Sequence, residues 1–342
     1  MTRSGVAWYV HHHGSGHATR FRAISAHLDE QIVGLGSMAR PSGLRDEISW
    51  VQLDRDDGLE PGQPSPQDLD PTVGGLLHWA PLGHQGHRRR LARIAQELTQ
   101  RAVTALVVDT SVEVALLGRL LGVPTVLVTQ PGRRGDAAHT LGLATATRII
   151  APWPAELLRP PHLADVQDSV VFTGGISRFE GRRSGRARPR TVLLLAGGGG
   201  AEVGAEDLRR ASAASPDYTW ALAGTLGGDS GSWQDDPWAD LSSAEIVVSW
   251  AGQNAVADLA ASDARAVVVP QERPFDEQRA TAVALRDAGL AVVGPRWPEP
   301  DRWPDLLGEA GALEPAWRRW EVEGAARRAA AVVHGVATGV LR

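Results

Sequence analysis

Two glycine turns, an acidic pair and an amide-rich helix start carry most of the chemistry legible in this 342-residue chain. In Gly14-Ser15-Gly16-His17-Ala18-Thr19-Arg20 an imidazole stands near a helix start facing a cleft. With an ordinary pKa of about 6.5, a histidine accepts a proton at neutral pH, and a helix N-terminus helps keep it neutral. His17 is therefore the first candidate for a general base. Asp109, at the carboxyl end of an apolar strand, is the second, and Glu113 follows one helical turn later. Further on, Ser249 to Asp258 reads SWAGQNAVAD. A strand ends there, Gly252 turns the chain, and Gln253, Asn254 and Ala255 lie at the start of a helix whose unpaired N–H groups suit an anion such as a diphosphate. Asp258 lies one turn in, placed to accept hydrogen bonds from ribose hydroxyls. The segment PQERPFDEQ, 270–278, brings Glu277 and Gln278 together, a carboxylate and an amide that can hold sugar hydroxyls. A helix N-cap by Asp276, with Glu277 favouring the dipole, accounts for the same residues.

Other chemistries are excluded by composition. All 35 basic residues are arginine, and neither lysine nor cysteine occurs. A Walker-type P-loop, a pyridoxal Schiff base, a thiol nucleophile, a disulfide and a thiolate metal site are thereby ruled out. A net charge of −5 lacks the basic footprint of nucleic-acid binding. Neither glycine turn completes Gly-x-Gly-x-x-Gly, and Glu202 would set a negative charge beside any phosphate at the second, so dinucleotide binding is set aside. Gly198 and Gly199 still permit close approach of another group to the backbone. His11, His12 and His13 alternate faces along a strand and cannot converge on an ion without a sharp turn, and no metal is expected. His78, His84 and His87 lead into a helix bearing Arg88, Arg89, Arg90 and Arg93, which suits an acceptor's phosphate or carboxylate, or is a solvated basic face. Twelve tryptophans against four phenylalanines and two tyrosines read as GC-rich codon usage. The opening residues are too short and mixed for a signal peptide, and no apolar run approaches the about 18 residues of a membrane span, so a cytoplasmic protein is expected.

Strand-length apolar runs alternate with helical stretches, the pattern of an α/β chain with parallel sheets. Strands are expected at 6–10, 105–108, 125–129, 148–151 and 170–172, with helices at 18–28 and 112–121. The apolar-poor RRSGRARPR lies within an expected linker over 181–190. Beyond it, strands are expected at 191–196, 218–223, 246–249, 266–269 and 291–293, and helices at 205–214, 255–261 and 277–288. The expected organisation is an N-terminal domain over 1–180, a C-terminal domain over 191–314, and a tail over 315–342 that is helical to about 336 and packs back on the first domain. Gly174 and Gly175 are a candidate hinge, and 61–71 a flexible loop. Ligands of such sheets sit beyond the carboxyl ends of the strands, hence between the halves.

Together these motifs resemble the nucleotide-sugar half of GT-B glycosyltransferases, particularly the MurG-type family 28 and the UDP-glycosyltransferases with an HCGWNS-x-x-E signature. On that signature Gly252 falls on the glycine, Asn254 on the asparagine and Asp258 on the acidic ribose ligand, while Glu277 and Gln278 fall on the later Asp-Gln pair at the donor sugar. Trp233 is the counterpart of the tryptophan that stacks on uracil. Trp250 stands where the signature has its diphosphate-binding histidine, shifting that task to backbone N–H groups and arginine. The turn from Gly14 to Arg20 resembles that of MurG-type enzymes and, more closely, the UDP-sugar hydrolase of pseudaminic acid synthesis, in which the histidine activates water.

The resemblance implies a GT-B fold, two Rossmann-like domains facing each other across a cleft. It implies transfer, with inversion and without metal or cofactor, of a hexosyl or N-acetylhexosaminyl group from a nucleotide sugar, UDP-linked, to an acceptor hydroxyl. Gly16, Arg20, Glu113 and Gln130 are then acceptor-side, and the acceptor is a small molecule or a glycolipid, with peripheral membrane contact as in the MurG type. A nucleotide-sugar hydrolase and a non-catalytic nucleotide-sugar-binding protein are the alternatives.

Overall fold

A computed structural model describes residues 5–12, 14–59, 62, 64–197, 202–227, 230–232, 234 and 236–341. The N-terminal half holds the strands β1 (Gly5–Tyr9), β2 (Gln31–Gly36), β3 (Ser49–Gln52), β4 (Val103–Asp109), β5 (Thr125–Val128), β6 (Arg148–Ala151) and β7 (Val170–Phe172). All pair parallel, in the order β3-β2-β1-β4-β5-β6-β7. The helices α1 (Gly16–Ser25), α2 (Gln85–Gln100), α3 (Val112–Leu120) and α4 (Ala137–Thr145) connect them. The second half holds β8 (Arg188–Leu195), β9 (Thr219–Leu226), β10 (Ser230–Ser232), β11 (Ala244–Ser249), β12 (Ala266–Val268) and β13 (Val292–Val293), in the order β10-β9-β8-β11-β12-β13. Only the edge strand β10 runs antiparallel among the described strands. Its helices are α5 (Ala205–Ala214), α6 (Trp238–Leu241), α7 (Gln253–Ala261), α8 (Glu277–Asp287) and α9 (Trp303–Ala312), and α10 (Ala325–Ala337) closes the chain. The architecture is mixed α/β with two parallel sheets.

Alternation along the central strand explains the layers. Val6, Trp8 and Val10 point to one face and pack with Phe21 and Ile24 of α1 and with the alanine-rich face of α10. Ala7 and Tyr9 point to the other face, into a core that reaches Leu193 and Val247 of the second sheet. The returning tail thus covers the first sheet, so both halves depend on it. Five of the tryptophans are structural: Trp8, Trp153, Trp303, Trp317 and Trp320 are among the largest fully buried side chains.

Several details differ from the sequence reading. β2 and β3 were not anticipated, because glycines interrupt QIVGLG; Gly34 and Gly36 lack side chains where the Trp50 ring lies, 2.5 and 3.0 Å from where a Cβ would stand. β8 begins within the expected linker, at Arg188. The tail is not one helix: a 3-10 turn, Trp317–Trp320, precedes α10, and Glu321 and Gly324 between them have φ of 55° and 74°. Gly174 and Gly175 admit that tail by close packing. A Cβ on Gly174 would lie 2.2 Å from the Glu321 carbonyl oxygen and one on Gly175 2.3 Å from the Trp320 ring, while the Gly175 N–H donates to the Trp320 carbonyl. Gly175→Ala is expected to destabilise the protein by about 1–3 kcal/mol through overpacking, measured by chemical denaturation; an unchanged midpoint would mean that the tail yields freely.

Candidate active site

The site grows from the carboxyl end of β4. Asp109 is fully buried there, and Arg20 from α1 grips it with two hydrogen bonds, Nε to Oδ2 at 2.9 Å and a terminal nitrogen to Oδ1 at 3.2 Å. His17, one turn before Arg20 on α1, places Nδ1 3.0 Å from Asp109 Oδ1. Burial pushes this carboxyl up, but Arg20 and His17 outweigh it and hold Asp109 well below the usual carboxylate range. An anion fixed at Nδ1 favours the tautomer that leaves Nε2 as the basic nitrogen. Asp109 therefore orients His17 and is too encumbered to take a proton itself. The next residue, Thr110, has φ of 70°, a left-handed conformation that is strained for a β-branched side chain. It turns the chain into α3, whose first turn Ser111 caps by accepting from the Val114 N–H.

The same arginine reaches the other half. Its remaining terminal nitrogen donates to Gln253 Oε1 at 3.0 Å, and Asn254 Nδ2 donates to the Gly16 carbonyl at 2.9 Å. The starts of α1 and α7 thus meet across the cleft, with Gln253 Nε2 buried and unpartnered among the described residues. A cavity of about 80 Å³ adjoins this seam, lined by Ser15, Gly197, Gly224, Ala255 and Asp258. Asp258 lines it with a carboxylate already engaged: Ser177 donates to Oδ1 at 2.7 Å and Arg178 Nε lies 3.3 Å from Oδ2. Desolvation, opposed by Arg178 and Ser177, raises its pKa to about 6. Gly198, Gly199, Trp233 and His13 lie outside the described residues.

Trp250, at the position of the signature's histidine, is buried in the second half's core, its ring centroid 5.9 Å from that of Trp297. Two expectations need correction. Gln278 is buried near Gly252, and its Oε1 accepts from the Gln271 N–H at 3.0 Å. Asp276 makes no capping hydrogen bond and adopts a left-handed φ of 54°. Glu277 instead pairs across the cleft with Arg134 at 3.3 Å, and Arg134 also donates to Gln130. This second seam is tight: a Cβ on Gly132 would lie 2.1 Å from the Phe275 carbonyl oxygen, which accepts from the Arg133 N–H at 2.7 Å.

Sequence reasoning missed a cavity of about 390 Å³ within the first half. His11, whose ring centroid is 5.5 Å from that of His17, and Thr110 line it on the dyad side. Glu113 lines it as well, but its carboxylate is a structural anchor that accepts from the backbone N–H groups of His78 and Trp79 at 2.7 and 3.0 Å and from Ser111 Oγ. Arg90, on α2, is buried and donates to Tyr9 Oη, Ser37 Oγ and the Asp54 carbonyl. Burial in turn pushes the Tyr9 hydroxyl up to about 12. The arginines of α2 do not form one anion-binding face, since Arg89 pairs with Asp54 and Arg93 with Glu97. Among the described residues two groups bring ligand-type atoms within 4.8 Å of one another, His78 with Asp136 and His139, and His12 with Asp56 and Asp57. In the first, Arg134 lies 2.7 Å from His139 Nε2, a position where a cation opposes a bound metal ion.

Comparison with known proteins agrees with this fold. Residues 232–296 match the family "Glycosyltransferase family 28 C-terminal domain". Among solved structures the chain is similar to MurG of Acinetobacter baumannii, at 16% identity and a TM-score of 0.64, covering 97% of this chain and 99% of that one. It is similar to CalG4, the calicheamicin glycosyltransferase, at 16% identity and 0.65 over the whole of both chains. It is also similar to Phytolacca americana UGT2, solved with UDP-2fluoro-glucose and pterostilbene, at 15% identity and 0.62, covering 99% of this chain and 94% of that one. No curated protein sequence matches the chain. The fold is therefore GT-B, and no described helix is long and apolar enough to cross a membrane.

The Asp258 environment gives a pH signature. An unfolded aspartate titrates at about 3.9, below the native value, so this group's contribution favours the fold at low pH and is lost as pH rises through about 6. Between about pH 4 and pH 7, wild type is expected to lose about 2–3 kcal/mol relative to Asp258→Asn in chemical denaturation. A constant difference between the two proteins would show that burial does not perturb this carboxyl.

Proposed function

We propose that the chain is a glycosyltransferase that moves a sugar from a nucleoside diphosphate to an acceptor hydroxyl, with inversion at the anomeric carbon and no step assigned to a metal ion. The observation that carries this reading is the His17–Asp109 pair, clamped by Arg20 at the seam between the halves. In this reading His17 Nε2 takes the proton of the acceptor hydroxyl as its oxygen bonds to the anomeric carbon, and the bond from that carbon to the diphosphate oxygen breaks. Asp109 holds the imidazolium that forms. The N–H groups at the start of α7, around Gln253, Asn254 and Ala255, face the departing diphosphate and stabilise its growing charge. With Trp250 buried elsewhere in a lysine-free chain, this helix start is the main contact available for that group.

UDP is the proposed nucleotide and a hexosyl or N-acetylhexosaminyl group the proposed sugar. UGT2 was solved with a UDP sugar, while SpnG, a spinosyn rhamnosyltransferase, was solved with thymidine diphosphate, so both nucleotides belong in a binding screen. Glu277 and Gln278 reach the donor sugar only once the Arg134 and Gln271 contacts rearrange. The roomy cavity beside His11 favours transfer over hydrolysis, because water needs no such space. Incubation with a UDP sugar and no acceptor separates the two reactions, since a hydrolase releases free sugar at its full rate.

His17→Ala is expected to lower turnover by about 10²–10⁴-fold while leaving the calorimetric affinity for UDP unchanged. Undiminished turnover would remove His17 from the reaction.

A further inference from the structure

The cavity in the first half differs in character from a slot for an apolar aglycone. Its aliphatic side chains are Leu91 and Val114, and the rest of its wall is polar or aromatic. Three carboxylates, those of Asp56, Asp57 and Glu113, line it against the single guanidinium of Arg90. Two of the three are committed. Glu113 anchors the backbone at 78–79, and Asp57 receives both Nε and a terminal nitrogen of Arg55 at 2.9 and 2.7 Å. Arg90 is committed as well, to Tyr9, Ser37 and the Asp54 carbonyl.

Asp56 is different. Its carboxylate has ion contacts at 3.5 Å to Arg90 Nε and 3.8 Å to His12 Nε2, and makes no hydrogen bond among the described residues, although its side chain is only 14% exposed. The backbone of the same residue is fixed, because the Trp79 indole donates to its carbonyl at 2.9 Å. Opposite functionality stands nearby in His87, a residue 91% buried whose Nδ1 lacks a hydrogen-bond partner among the described residues. Burial lowers the pKa of His87 and so favours the neutral imidazole, which offers both a donor and an acceptor. A largely desolvated carboxylate held by ion contacts of 3.5 Å or longer and a buried imidazole without a full set of partners each gain from a ligand that completes them.

We propose that this cavity binds a small polyhydroxylated acceptor bearing a protonated amine, with the ammonium at Asp56 and a hydroxyl at His87. This rests on the reading of the chain as a glycosyltransferase with its acceptor beside His17. The arrangement disfavours anionic acceptors, because three carboxylates in the wall face one guanidinium whose hydrogen bonds are already taken. It disfavours flat apolar phenols, which would leave Asp56 and His87 desolvated and unpaired.

Calorimetry on the full chain tests this with 2-deoxystreptamine, the neutral cyclitol myo-inositol and pterostilbene as probes, each with and without UDP. The expected order is 2-deoxystreptamine at least about 10-fold tighter than myo-inositol, with no detectable pterostilbene binding. Asp56→Asn is expected to abolish the preference for the amine while leaving UDP affinity intact, which also shows that the variant folds. Equal affinity for the two cyclitols, tighter binding of pterostilbene, an amine preference that survives in Asp56→Asn, or one that disappears with EDTA would each overturn the proposal. UDP and thymidine diphosphate binding are read in the same experiment. Absence of both would sink the glycosyltransferase reading on its own, whereas nucleotide binding with no amine preference would sink only the acceptor assignment.

Discussion

The Arg20–Asp109 ion pair is the constraint on which the site depends. A fully buried carboxylate survives only with charge and hydrogen bonds arranged around it, and removing one partner of such a pair costs about 3–5 kcal/mol. Arg20 supplies two hydrogen bonds to Asp109 and a third to Gln253, so one guanidinium fixes β4, α1 and α7 relative to one another. Its planar fork suits this task in a way that an ammonium group does not. His17 takes its orientation from the same carboxylate, and the strained Thr110 holds the turn that carries it.

Much of this layout was legible in the sequence because it rests on local patterns. Apolar runs located most central strands, and the histidine at a glycine turn and the aspartate at a strand end were each legible as a candidate base, though their pairing at the seam was not. What escaped depends on contacts between distant segments. Glu113 reads as a free carboxylate until the backbone at 78–79 folds onto it, and Arg90 reads as surface charge until Tyr9, Ser37 and Asp54 surround it. Trp250 aligned with a phosphate-binding position, yet an indole gains more from the core formed with Trp297 than from solvent. The break between the 3-10 turn and α10 turns on Glu321, a non-glycine residue in a left-handed conformation that no propensity would place there.

The tryptophan excess acquires a different meaning in three dimensions. Trp153, Trp317 and Trp320 belong to one core that also includes Leu193 and Val247 of the second sheet, and the tail they anchor passes on to cover the first sheet with α10. The two halves are therefore not beads on a linker. Their relative placement is set by a shared apolar seam on one side and by polar seams at the cleft on the other.

Those polar seams bear on the order of events in a catalytic cycle. The cavity at the start of α7 holds about 80 Å³, whereas sites for drug-sized ligands run to about 300–1,000 Å³. In the proposed reaction a nucleotide sugar enters as the contacts of Arg20 with Gln253, Gly16 with Asn254 and Arg134 with Glu277 part, while the larger cavity near His11 lies within one half. The closed form thus acts as a competitor for its own substrate. Its apparent donor affinity is the intrinsic value reduced by the fraction of molecules that are open, so a substitution that loosens the seam without touching the nucleotide would be read at the bench as tighter binding.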